Sequence, residues 1–306
     1  MLGVFFFAAA LVTGCATQTP ALLQQGSSRL PPSAELAATP FYAQERYQCG
    51  PASLAMSLGA AGISVTPEAL KPQVYVPQRE GSLQAEMLAA ARRNGAVAIT
   101  IAPSLDALLA ELAVDHPVLV LQNLGLSWVP IWHYAVAIGY DLQKEEIILR
   151  SGTTERLTMP LSTFDRTWER SARWGMVALP PGRLPATASE TTVVDALLAF
   201  EKVSNDATHA RQAYESALRR WPHNLALQLG VGNTAYAAGD RDAAAAAFRQ
   251  ATKEHPDNAP AFINLATVLL ELGQLNQARE AAQEALALGG PWREAAAAAL
   301  RAIEER

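Results

Sequence analysis

The sequence predicts an α+β domain followed by an all-α repeat solenoid, and three observations predict it. Between Gly50 and Ala178, helix-patterned segments come first and short β-branched apolar runs come later, the order expected of an α+β domain. The stretch Leu179-Pro180-Pro181-Gly182-Arg183-Leu184-Pro185 stops both strand and helix. Beyond it, Trp221-Pro222, His255-Pro256 and Gly290-Pro291 recur at intervals of 34 and 35 residues in an otherwise helical segment.

Composition sets the outer bounds. A chain of 306 residues has room for two domains at roughly 150 residues each. Half its residues are apolar and 17% are charged, which is globular rather than disordered. The net charge of −5 includes no basic block, so no nucleic-acid partner is expected. Cys15 and Cys49 sit in separate contexts that a disulfide between them would waste, and His116, His133, His209, His223 and His255 are scattered without metal-ligand spacing. Neither a metal nor another cofactor is called for.

The elements follow in chain order. Leu2 to Val12 is an apolar run of signal-peptide length, too short to span a bilayer as a helix. It ends in Leu11-Val12-Thr13-Gly14-Cys15, which resembles the bacterial lipobox, although no Lys or Arg precedes it. The resemblance implies removal of residues 1–14, acylation of Cys15, and a membrane-anchored protein of the bacterial cell envelope. Ala16 after the cysteine resembles sorting to the outer membrane, facing the periplasm, and several acyl chains suit durable anchoring. Residues 15–38, rich in Gln, Ser and Pro, read as a tether.

Within 39–179, Gly50 to Gly59, Leu83 to Arg93 and Ser104 to Leu112 are expected helices. Pro117 to Leu121, His133 to Ile138, Glu146 to Leu149 and Gly175 to Ala178 are expected strands. Arg92 and Arg93 suit the C-terminal end of their helix. Trp128, Trp132, Trp168 and Trp174 belong either to a substrate groove or to the core. Residues 180–190 are the expected linker, and residues 191–306 the repeats.

In the middle repeat, Gly232, Ala244, Phe248, Ala251 and Pro256 fall in register. Leu265, Ala266, Gly273, Ala278, Ala282 and Ala285 follow in the next. Small residues at those offsets let paired helices approach closely, and the proline ends each second helix. Leu197, Ala210, Tyr214 and Ala217 ahead of Pro222 form a weaker first unit. The period resembles that of tetratricopeptide repeats, about three units here, which implies a protein or peptide partner.

The chemistry centres on Gln48-Cys49-Gly50-Pro51-Ala52. A thiol at the start of a helix meets the positive end of the helix dipole, where thiolate is favoured. Gly50 suits a tight turn and Pro51 the first helical turn. A thiol nucleophile needs a base brought from elsewhere in the chain, and His133, opening the apolar run Trp132-His133-Tyr134-Ala135-Val136, is the natural candidate.

These two blocks resemble the signatures of the bacteriocin-processing, double-glycine-leader cysteine peptidases and their free-standing relatives, within the papain-like superfamily. The likeness covers roughly Pro40 to Leu179. It implies Cys49 as nucleophile, His133 as base, and an upstream Gln helping to form an oxyanion hole. Gln44 is the match, five residues before the cysteine where the usual offset of six falls on Ala43. Ser151 stands where the family places an acidic or amide residue to orient the histidine, and Asp141 lies about 25 Å along the strand from His133.

The resulting expectation is an envelope-anchored cysteine peptidase acting on exported peptides or proteins, with the repeats recruiting substrate or partner. The alternatives are a catalytically weak domain serving as an assembly scaffold, and an acyl transferase using the same Cys–His pair.

Overall fold

The computed structural model describes residues 18–19, 30–44, 48–204 and 206–306. The expected signal peptide and the expected lipidation site Cys15 lie outside the described residues. The first domain runs β1 (Ser33–Glu35), α1 (Cys49–Ala60), α2 (Pro67–Val74), β2 (Tyr75–Val76), β3 (Gly81–Ser82), α3 (Gln84–Arg93), β4 (Val97–Thr100), α4 (Leu105–Leu112), β5 (Val118–Asn123), β6 (Trp132–Asp141), β7 (Glu146–Ser151), β8 (Thr154–Pro160), α5 (Leu161–Glu169) and β9 (Gly175–Leu179). The main sheet has the order β4-β9-β5-β6-β7-β8 with all pairs antiparallel, and β1 lies beside the far end of β6.

Alternation along the central strands divides the core in two. Leu119, Leu121, Tyr134 and Met176 face Leu54, Leu58, Leu70 and Met87 of α1, α2 and α3. Val118, Val120, Ala135, Ala137 and Val177 face α4 and α5 through Leu105, Leu108, Phe164 and Trp168. Because both faces are covered, β5 is buried along its whole length, and its first four residues, Val118 to Leu121, read as a continuous apolar run. The first turns of α1 are also enclosed on all sides. Ala52 and Met56 pack on Val136, Ile138 and Ile148, while Ser53 and Ser57 are buried as well.

Several elements differ from the sequence expectation. Part of the expected tether is structured: Ser33–Glu35 pairs with Gly139–Asp141, and a Cβ on Gly139 would stand 2.4 Å from the Ala34 carbonyl oxygen. The buried Arg150 guanidinium then ties down the following turn, donating to the carbonyls of Ala37 (2.8 Å) and Thr39 (3.0 Å). No local pattern announces such long-range pairing. Strand β8 also escaped the sequence reading, since it is an edge strand with mostly exposed polar side chains.

The second part is all helix: α6 (Glu190–Glu201), α7 (Ala207–Arg220), α8 (Leu225–Ala237), α9 (Arg241–Glu254), α10 (Ala259–Glu271), α11 (Leu275–Leu288) and α12 (Arg293–Glu304). Ser189, Asp206, Asn224, Asp240 and Asn258 each cap the next helix with a side-chain oxygen. Gly232 earns its place by packing: a Cβ there would stand 2.3 Å from the Phe248 ring.

Residues 180–189 are held rather than loose. The buried Glu111 carboxylate accepts hydrogen bonds from the backbone N–H groups of Ala186 (3.1 Å) and Thr187 (2.9 Å) and from the Thr187 hydroxyl (2.8 Å). Val193, Leu197 and Phe200 of α6 and Tyr214 of α7 belong to the same apolar cluster as α4 and β9. The weaker repeat pattern of the first unit therefore reflects helices that pack on the sheet domain.

Candidate active site

Cys49 is the first residue of α1, and His133 is the second residue of β6, at the rim of the sheet. They open on one cleft of about 1300 Å³, together with Gln44, Ser82, Trp132 and Tyr134. The backbone N–H of Tyr134, adjacent to His133, points at the Cys49 sulfur, as do those of Gly50 and Cys49 itself.

Those donors favour thiolate, but burial is the larger effect and pushes the Cys49 thiol above its ordinary value. Burial likewise holds the His133 imidazole below its ordinary value. The dipole argument from sequence favours thiolate, and burial of the enclosed helix start acts against it. Desolvation is a property of the assembled domain and has no local sequence signal.

His133 Nε2 lies 2.8 Å from Ser151 Oγ. With the proton on Nε2 donated to that hydroxyl, Nδ1 keeps its lone pair and is the nitrogen left to act as base. The bond joins neighbouring strands β6 and β7, and the register of β7 against its other neighbour, β8, shifts between Leu149 and Ser151. Asp141 plays no part here: its carboxylate caps the turn at the other end of β6, accepting from the N–H groups of Gln143 (3.0 Å) and Lys144 (3.1 Å).

Gln44 reaches the cleft although its offset from Cys49 is one residue short. Its backbone N–H donates to the Gly152 carbonyl (3.0 Å), which fixes the segment beside β7. Its side-chain Nε2 lies 3.2 Å from the buried Ser53 hydroxyl, and Oε1 is buried with no hydrogen-bond partner. Rotating the carboxamide by 180° removes the mismatch, because Ser53 Oγ then donates to Oε1 and Nε2 is left as the free donor.

Two residues of the cleft wall were missed from sequence. Ser82 presents a buried hydroxyl with no partner among the described residues, packed so closely on α1 that a Cβ on Gly50 would stand 2.2 Å from it. Tyr134 holds that wall, its hydroxyl donating to the Ser82 carbonyl (3.1 Å). The Gly81-Ser82 pair carried no signal of its own, because its partners come from α1 and β6.

The tryptophans divide. Trp168 is core, stacked on Phe164 at 5.5 Å, with its Nε1 donating to the Trp174 carbonyl (2.8 Å). Trp174 meets Tyr134 edge-on at 5.9 Å. Trp132 lines the cleft, and Trp128 stands 77% exposed.

Fold and site together define an α+β domain with a cleft lined by a thiol and an imidazole, joined to a helical repeat array. Residues 37–176 match the Peptidase_C39 like family, and residues 203–259 and 235–303 match tetratricopeptide repeat families. The chain thus carries a C39-like peptidase domain followed by tetratricopeptide repeats. Among solved structures, a C39-like peptidase candidate from Bacillus anthracis is 20% identical, with 48% of this chain and 97% of that chain covered and a TM-score of 0.41. The first TPR domain of Spaghetti (RPAP3), bound to the HSP90 peptide SRMEEVD, is 16% identical over 38% of this chain and 90% of that chain, with a TM-score of 0.35. The Yersinia enterocolitica type III secretion chaperone SycD, in complex with a peptide of the translocator YopD, is 18% identical over 39% and 95%, with a TM-score of 0.36. None of the curated proteins compared matches the chain.

Proposed function

We propose that the protein is a cysteine peptidase of the bacterial cell envelope, anchored through acylated Cys15, that hydrolyses exported peptides or proteins recruited by its repeats. The observation that carries the reading is the convergence of Cys49, His133 and Gln44 on one cleft, with His133 oriented by Ser151. In this mechanism Nδ1 of His133 takes the proton of the Cys49 thiol as sulfur attacks the scissile carbonyl carbon. The Gln44 amide and the Cys49 backbone N–H then hold the oxyanion. The imidazolium gives its proton to the leaving amine as the C–N bond breaks. His133 next draws a proton from water, whose oxygen attacks the thioester and frees the carboxylic acid and the thiol.

The test is acid quenching of the protein during turnover of a library of envelope-derived peptides, with mass spectrometry of Cys49. An acyl adduct on Cys49, absent from Cys49→Ala and slowed in His133→Ala, is the expected result. Absence of both adduct and cleavage sinks the peptidase reading. It leaves the second one, a protein-binding scaffold, which is supported by the upward shift of the Cys49 thiol and by a serine in place of an acidic or amide residue beside His133.

A further inference from the structure

Half of the large apolar side chains exposed among the described residues lie in one hairpin. The β5–β6 connection presents Trp128 at 77% exposure and Val129 and Ile131 at 59%, followed by Trp132, Leu126 and Leu124 at 47–53%. A contiguous apolar surface of this kind marks a contact site. The hairpin is braced for the role. Asn123 Oδ1 accepts from the N–H groups of Gly125 (3.0 Å) and Ile131 (2.9 Å), and the Arg170 guanidinium donates to the Gly125 carbonyl (2.6 Å).

Gln18 comes to the same end of the sheet. Gln18 donates its backbone N–H to the Asp165 carboxylate (2.6 Å), and its side-chain oxygen accepts from the N–H of Leu105 at the start of α4 (2.8 Å). Asp165 is paired with Arg173 (2.8 Å), three residues beyond the Arg170 that braces the hairpin. Antiparallel pairing puts the end of β5, the starts of β6 and β9 and the end of α5 together at this end. Gln18 is the third residue after Cys15, a reach of at most about 11 Å when extended.

We propose that this hairpin is a bilayer-docking element. It inserts Trp128 and its apolar neighbours at the headgroup–acyl boundary and, with the lipid on Cys15, holds the mouth of the cleft against the membrane. The inference rests on Cys15 being the acylated residue. A membrane fits better than an apolar peptide because the surface continues past the cleft wall of Ile131 and Trp132 to Trp128 and Val129, which do not line the cleft. Trp is also the residue type favoured at a membrane interface. Burial of such a face 5–10 Å deep is how interfacial elements bind.

The experiment uses the mature chain, residues 15–306, carrying Cys15→Ser so that no acyl chain contributes. Binding to phosphatidylethanolamine–phosphatidylglycerol vesicles is read by flotation and by quenching of tryptophan emission with brominated lipid. The chain is expected to partition onto the vesicles with quenching. Trp128→Ser combined with Val129→Ser is expected to lose at least tenfold in partition coefficient with an unchanged thermal midpoint. Equal partitioning of the two proteins, or none by either, overturns the proposal. So does a variant that binds vesicles normally but shows a raised KM for soluble apolar peptides, which would make the hairpin a peptide site. The Cys49 adduct assay contains no vesicles, and acylation is read from the mass of the protein extracted from membranes, so those readings fail separately.

Discussion

At the scale of single residues, the resting ionisation of the Cys–His pair sets the pH behaviour. Burial pushes the Cys49 thiol up and holds the His133 imidazole down, so the neutral pair is the expected resting form. His133 must be unprotonated to act as base, and its lowered pKa keeps it so further into acid than a free imidazole. The expected kcat/KM profile therefore rises through a pKa below about 6.5 and is flat across neutral pH. Alkylation of Cys49 by iodoacetamide is expected to be slower at pH 7 than that of free cysteine and to climb through a pKa above that of an ordinary thiol. An alkylation plateau reached below pH 6 would show a thiolate–imidazolium pair instead. The Ser151 bond to His133 is a neutral one, worth about 1 kcal/mol. Ser151→Ala should then lower kcat roughly fivefold to tenfold with little change in KM, measured by steady-state kinetics. A drop of several hundredfold would mean that Ser151 does more than orient the ring.

At the scale of elements, close helix contacts depend on missing side chains. Ala is the better helix former, so Gly232→Ala in isolation would favour α8 by up to about 1 kcal/mol. The added Cβ meets Phe248 of α9 at 2.3 Å, however, and overpacking of this sort costs about 1–3 kcal/mol. A lowered thermal midpoint, with the loss partly recovered by adding Phe248→Leu, is the expected result in calorimetry. The same reasoning explains what was readable in this part of the chain. The 34-residue spacing of prolines and the small residues are local consequences of stacking identical pairs, so the repeats could be read directly. The paired segments β1 and β8 could not, because one is a three-residue strand on the far end of β6 and the other an exposed polar edge.

At the scale of the whole molecule, Glu111 joins the peptidase domain to the repeats. Burial raises its pKa, but hydrogen bonds from His116, Thr187 and Ala186 outweigh that and leave it below the ordinary value. A carboxyl with a depressed folded-state pKa contributes stability that is full above its unfolded pKa and lost as pH falls below it. Glu111→Ala also strands His116 and the Thr187 and Ala186 donors, a loss of about 3–5 kcal/mol for one partner of a buried charged network. Because α6 shares the apolar cluster of α4, we expect the wild type to melt the sheet domain and first helical pair together. Glu111→Ala should melt at lower temperature, and its deficit relative to wild type should shrink as pH falls from 7 to 4. A deficit that is constant with pH would remove the carboxylate from the account.

By itself the sequence determined the two-part architecture, the repeat period and the candidates Cys49, His133 and Gln44, because period, helix punctuation and the Cys49 and His133 blocks are written in neighbouring residues. Tertiary structure decided the rest: that Ser151 meets His133, that burial opposes the helix dipole at Cys49, that Glu111 clasps residues 186–187, and that Gln18 lies at the cleft end of the sheet. Each of these depends on desolvation or on hydrogen bonds between groups separated by 18 to 147 residues, or on both, and only packing brings such groups together.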